Sequence, residues 1–276
     1  MNKYRIQHNT KRQTAGSAMF GFTLIELLVV IAIVSVLMAI LLPALGIARK
    51  TAASTKCLVS LRSVHQTMAT YSNMFDDAWP NAFGPDTKIH AIIMGSTEYD
   101  LLSPFDIMPL WIGLLYEAGV LDVDNGIEGY VCPAIYHQYR ETYEFGNPQV
   151  LAMKSYTYSP GFVSQPKLWD PDQPQRREDP DMFRATIKQS QVTFPAAKVL
   201  LFEFLDNHGD GQLIGTPYSG KTRHSNVVFA DGHAARVIPA DAQKALPLNW
   251  SHFYGDNMPD SFPFSCAPWG IAGRDY

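Results

Sequence analysis

The sequence predicts an α+β chain: one long amino-terminal helix, apolar in its first half, packed on a small antiparallel sheet with long irregular loops. Two observations carry this. Apolar residues recur at helical spacing far beyond an uncharged run. Further along, short β-branched runs flank turn signals at strand spacing. The averages exclude other classes. In 276 residues, 46% are hydrophobic, 17% are charged and the net charge is −4. That is too apolar and too nearly neutral for a disordered chain. Three cysteines are too few for a disulfide scaffold. A pI near 6.0 gives no basic footprint for nucleic acid. Mean hydropathy near zero excludes a multi-pass membrane protein but leaves room for a single span.

That span is Leu27 to Ala48, a run of 22 residues without a charge. As a helix it measures roughly 33 Å, against a bilayer core of about 30 Å. Lys3, Arg5, Lys11 and Arg12 precede it, and the first acid is Glu26. Basic residues before the span hold the amino terminus in the cytoplasm, although Arg49, Lys50 and Lys56 beyond it weaken the bias. A secretory signal has a shorter apolar core. Glu26 also sets this segment apart from a plain anchor. A carboxylate costs roughly 2.5–3.5 kcal/mol at the membrane centre and less near its edge, so it needs a partner.

The helical pattern continues through Cys57/Leu58, Leu61, Val64, Met68, Tyr71 and Phe75, one face of an amphipathic helix. Asp76, Asp77 and Pro80 end it. A helix from Phe22 to Phe75 spans roughly 80 Å, with Pro43 and Gly46 as candidate kinks. Pro104–Gly119 reads as a short helix closed by glycine. Gln165–Pro180 reads as a surface loop. Val199–Phe204 reads as a buried strand. Asn226–Ala230 and His233–Ile238 read as a hairpin across Asp231-Gly232 in a type I′ turn. Two or three strands then pack on the helix. From Pro247 the chain has no periodicity and is expected to wrap the head irregularly.

Gly21-Phe22-Thr23-Leu24-Ile25-Glu26-Leu27, followed by the apolar run, resembles the processing site of type IV prepilins and type II secretion pseudopilins. The resemblance implies a pilin-like fold and cleavage by a prepilin peptidase between Gly21 and Phe22, with N-methylation of Phe22. It makes Glu26 the fifth mature residue and puts Pro43 where many members also have proline. It divides the chain into a leader (1–21), a transmembrane and assembly helix (22–48), its amphipathic continuation (49–80) and a periplasmic head (81–276). Like subunits, a secretion or pilus assembly machine and the inner membrane are the implied partners. A structural role rather than catalysis is implied. Pairing of Glu26 with a neighbour's Phe22 amine would offset two buried charges and set axial register.

Cys57, Leu61-Arg62, Tyr71 and Pro80, with Val131-Cys132-Pro133, resemble the prepilin-like proteins abundant in planctomycetes. Arg223-His224 through Asp231-Gly232-His233 resembles their carboxyl-terminal histidine to Asp-Gly signature, with a shorter spacer, Ser225–Ala230. In an oxidising compartment Cys57 and Cys132 either form a disulfide or remain buried thiols, and Cys266 is left over. Asp206–Gly211 partly follows a calcium loop through Asp206 and Asp210. His208 and Pro217 break the EF-hand pattern, leaving a looser calcium site or a polar turn. His208, His224, Asp231 and His233 offer the residue types of a metal or hydrolase cluster, but no H-E-x-x-H, G-x-S-x-G or P-loop motif accompanies them. Trp79, Trp111, Trp169, Trp250 and Trp269 read as core and loop-packing residues rather than a glycan or protein surface. The alternative function is a pilin-anchored binding or enzymatic module that forms no filament.

Overall fold

The first helix, α1, runs from Leu24 to Met74. The computed structural model describes residues 23–81, 91–94, 97–100, 107–121, 129–135, 155–173, 185–203, 206–208, 224–243 and 270–276. These fall into two units, Met1–Ala48 and Arg49–Tyr276.

In the first unit α1 begins with a reciprocal cap. The Thr23 N–H and hydroxyl donate to Glu26 Oε2 at 2.8 and 2.7 Å, and the Glu26 N–H donates to Thr23 Oγ1 at 3.2 Å. This is a capping box, which satisfies donors that a helix start otherwise leaves bare. All side chains from 23 to 48 are exposed. Ser35 closes its hydroxyl onto the Ile31 carbonyl at 2.7 Å, so the run presents an almost purely apolar surface. Among the described residues α1 is the one helix long and apolar enough to cross a membrane. The helix is assigned without a break across Pro43, although proline offers no N–H to the preceding turn.

In the second unit α1 buries Ser54, Cys57, Ser60, Leu61, Val64, Met68 and Ser72. Leu58 and Tyr71 pack at the edge of the same stripe. Phe75 departs from the expected stripe: it is 41% exposed. It lies past the helix end and stacks on Tyr71 with ring centroids 4.3 Å apart. Asp76 and Asp77, with φ of 52° and 65°, turn the chain out of the helix.

Strands β1 (Ala91–Met94) and β2 (Thr97–Asp100) form a separate antiparallel hairpin that the sequence reading did not anticipate. Helix α2 (Ile107–Glu117) ends at Gly119, whose φ of 68° suits glycine. The main sheet has four strands rather than two or three. Strands β3 (Thr157–Tyr158), β4 (Val199–Phe202), β5 (Ser225–Phe229) and β6 (Ala234–Val237) are antiparallel and ordered as numbered. One face meets α1: Leu200, Leu201, Val228 and Ala234 share a core with Cys57, Leu61, Val64 and Met68, which also holds Trp79 and Trp111. The other face buries Val199, Phe202, Val227 and Phe229 under Val237 and Tyr276.

Two expectations change. The segment from Gln165 is not wholly a surface loop. A short 3-10 turn over Pro166–Trp169 buries Leu168 and Trp169, where the indole donates to Ser164 Oγ at 2.8 Å. Residues 174–180 of that stretch lie outside the described residues, as do 247–269, with Trp250, Cys266 and Trp269. The hairpin is present, but its turn is not type I′. Of Asp231 and Gly232 only the glycine has positive φ, at 89°, whereas type I′ needs it at both positions. The Gly232 N–H donates to the Phe229 carbonyl at 2.9 Å, a type I turn with glycine following. Asp231 serves it by accepting the His233 N–H at 3.0 Å.

Candidate functional site

At the amino terminus, Gly21 and Phe22 lie outside the described residues. Glu26 sits in the first turn of α1 with Thr23 as its intrachain partner. Thr23 is a residue whose part in this site the sequence reading missed, although T-x-x-E before an apolar run signals a capping box. Pro43 lies within the exposed apolar stretch.

In the head, α1 positions Cys57 against Cys132, and the two are joined in a disulfide with Cα atoms 4.9 Å apart. Tyr156 donates its hydroxyl to the Cys57 carbonyl at 3.2 Å, and the Cys132 N–H donates to Ser155 Oγ at 3.1 Å. Burial, and then the Glu203 carboxylate, push the Tyr156 phenol well above its ordinary pKa, which keeps it a neutral donor.

Beside the sulfurs lie two further buried groups. His208 Nε2 is 3.5 Å from Cys132 Sγ and 3.1 Å from Glu203 Oε1. The His208 and Glu203 side chains are 4% and 1% exposed. A strand irregularity explains why Glu203 points there. Val199 pairs with Phe229 but Leu201 pairs with Val228, so Leu200 is an extra residue in β4. An inserted residue flips every later side chain to the opposite face. Leu200 and Leu201 both face α1, Phe202 turns away, and Glu203 returns to the α1 side. The Asn226 N–H fixes Glu203 by donating to Oε2 at 3.2 Å, and Ser54 on α1 donates to Asn226 Oδ1 at 3.2 Å.

Cys57, Cys132, Glu203 and His208 offer ligand atoms that all lie within 4.8 Å of one another. Among the described residues, no such group gathers His208 with His224, Asp231 or His233. Asp231 and His233 pair locally at 2.6 Å on the exposed turn, and His224 is half-buried before β5. Asp206 is buried, and Asp210 lies outside the described residues. The sequence presents Glu203 only as part of the Val199–Phe204 strand. Its signal was present: an acid in Val199–Phe204 contradicts a run otherwise wholly apolar.

A further residue missed by the sequence reading is His65. Its Nε2–H donates to the Ala230 carbonyl at 3.0 Å, tying α1 to the β5–β6 turn.

Residues 17–42 match the prokaryotic N-terminal methylation motif. No curated protein and no solved structure matches the chain. The match spans the Gly21-Phe22 junction, Glu26 and most of the exposed apolar stretch of α1. The amino terminus is that of a type IV prepilin-like chain.

Proposed function

We propose that this chain is a prepilin-like structural subunit, cut between Gly21 and Phe22, N-methylated on Phe22 and assembled into a type II secretion pseudopilus or a type IV pilus-like fibre. The carrying observation is the methylation motif at 17–42 in register with a helix whose apolar side chains are all exposed from 24 to 47. Such a surface is costly in water and is stabilised in lipid or against like helices. On this reading 22–48 is the membrane and assembly helix, 49–80 its continuation into the head, and 81–276 a head on the periplasmic or extracellular side. A prepilin peptidase, like subunits and an assembly machine are its partners. Glu26 pairs with the Phe22 amine of a neighbour, and the head is of the planctomycete type with His224, Asp231 and Gly232 in its signature.

Support for a structural rather than catalytic role comes from the hairpin signature. Asp231 and Gly232 are accounted for by turn geometry: the Asp231 carboxylate bonds to His233 within the turn, and the Asp231 N–H donates to the Pro195 carbonyl at 3.3 Å. Calcium at Asp206 and Asp210 remains a separate proposal, tested by thermal melts with calcium and with chelator. The reading as a whole is tested by the mass of the mature amino terminus. A methylated Phe22 is the expected result. An intact leader, or a cut after residue 45, overturns it.

A further inference from the structure

The buried disulfide has neighbours that a disulfide does not require. A sulfur pair in an apolar core has no unsatisfied donor or acceptor of consequence. Yet Glu203 and His208 are buried against it at 1% and 4% exposure, and burying a carboxylate is costly unless it is paired. We propose that the dithiol form of this chain holds one thiophilic divalent cation of the zinc class between Cys57 Sγ, Cys132 Sγ, His208 Nε2 and Glu203 Oε1.

The geometry is on the scale of such a site. Zinc takes sulfur at about 2.3 Å, nitrogen at about 2.0–2.1 Å and carboxylate oxygen at about 2.0–2.2 Å, in a tetrahedron. Those bond lengths put sulfur and nitrogen roughly 3.6 Å apart, and nitrogen and oxygen roughly 3.4 Å apart. The observed separations are 3.5 Å from Cys132 Sγ to His208 Nε2 and 3.1 Å from His208 Nε2 to Glu203 Oε1. Four protein ligands close the coordination sphere, as in structural zinc sites. The outer partners are in place too. Asn226 holds the Glu203 oxygen that would not bind metal, Ser155 holds the Cys132 backbone and Tyr156 holds the Cys57 backbone. Such contacts orient ligands and raise affinity.

The disulfide and the metal are mutually exclusive states of the same two sulfurs. A dithiol reductant converts one to the other: the S–S bond breaks, two electrons and two protons pass to Cys57 and Cys132, and the reductant closes its own disulfide. The cation then binds both thiolates and releases their two protons to solvent. The reverse exchange expels it: a disulfide oxidant takes two electrons from the two thiolates and two protons from solvent, leaves as its dithiol, and the Cys57–Cys132 bond re-forms as the cation departs. The site is thus loaded in a reducing compartment and emptied in an oxidising one, whether or not the chain forms a filament.

The full chain in detergent, reduced with a phosphine and titrated with Co2+ and then Zn2+, tests this. Reduced wild type is expected to bind one Co2+ per chain, with thiolate-to-cobalt charge transfer and the visible bands of a tetrahedral site, both abolished by Zn2+. The oxidised chain is expected to show neither. His208→Ala and Glu203→Gln are expected to weaken binding roughly tenfold or more, while their oxidised forms keep the wild-type circular dichroism. His208→Cys restores cobalt binding with a third thiolate. Absence of a saturable cobalt spectrum in reduced wild type overturns the proposal, as does an unchanged affinity in both His208→Ala and Glu203→Gln.

Discussion

The Lys198 ammonium lies 2.8 Å from Asp275 Oδ1, and neither side chain is more than 1% exposed. Asp275 Oδ2 accepts the Val199 N–H at 2.8 Å, so one carboxylate holds both the entry of β4 and the residue before it. Burial raises the pKa of Asp275, although Lys198 and the Val199 amide pull the other way. The folded chain therefore keeps this proton at a pH where the unfolded chain has released it. Its contribution to stability is present below the ordinary carboxylate range and is lost as pH rises through the folded value. Lys198→Met removes the compensating charge and pushes that value higher still. The variant should lose about 3–5 kcal/mol at neutral pH and less at mildly acidic pH, where Asp275 is neutral. Denaturant melts at the two pH values check this; an equal loss at both contradicts it.

Gly232 and His65 are coupled by space. A Cβ on Gly232 would lie 2.9 Å from the His65 ring, and the glycine φ of 89° disfavours any side chain. Gly232→Ala should cost roughly 1–3 kcal/mol from backbone strain alone, and more from the clash. His65→Ala should cost about 0.5–1.5 kcal/mol for the lost bond to Ala230. The double variant should cost less than the sum, because truncating His65 removes the clash. A double-mutant cycle that is additive within error would show that the ring moves aside freely.

The Cys57–Cys132 bond spans 75 residues of sequence. Closing a loop of that length stabilises the folded state by roughly 4 kcal/mol on the chain-entropy model. Reducing the full chain in the presence of a chelator should therefore lower the denaturant midpoint of the head. If zinc then restores most of the loss, the metal substitutes for the covalent tie. If the midpoint does not move on reduction, the head is held by its core alone.

The parts of this molecule that sequence reveals are those where periodicity and a local motif agree. The charge-free run, the stripe from Cys57 to Met68 and strand β4 follow from residue spacing alone, because each buries or exposes one continuous face. The turn type at Asp231-Gly232 did not follow, because the choice between two hairpin turns rests on one φ angle and on His65 approaching from α1. The four-ligand cluster was less legible still. It depends on an extra residue at Leu200 that flips Glu203 toward α1, and on His208 folding back 76 positions onto Cys132. No local pattern encodes either. The segment from Gln165 reads as surface for a related reason: polar neighbours dominate the window, while the 3-10 turn rotates Leu168 inward together with Trp169, which the sequence reads as a packing residue.

Glu26 has one partner within its own chain and, in the proposed fibre, a second one in a neighbour. In the isolated subunit Thr23 satisfies Oε2 through both its N–H and its hydroxyl. That arrangement needs an acceptor at this position but not a charge, since glutamine completes a capping box as well as glutamate. Pairing with a neighbour's amine needs the charge. Glu26→Gln therefore separates the two roles where Glu26→Leu removes both. Both variants should insert in the membrane and be processed, because the apolar run is untouched. Glu26→Gln should keep the first turn of α1 ordered, with wild-type amide protection in micelles, and yet assemble as poorly as Glu26→Leu. Cysteine crosslinking between subunits in the membrane reads assembly directly. Wild-type crosslinking in Glu26→Gln would mean that Glu26 acts as a helix cap alone and that register is set elsewhere along the apolar helix.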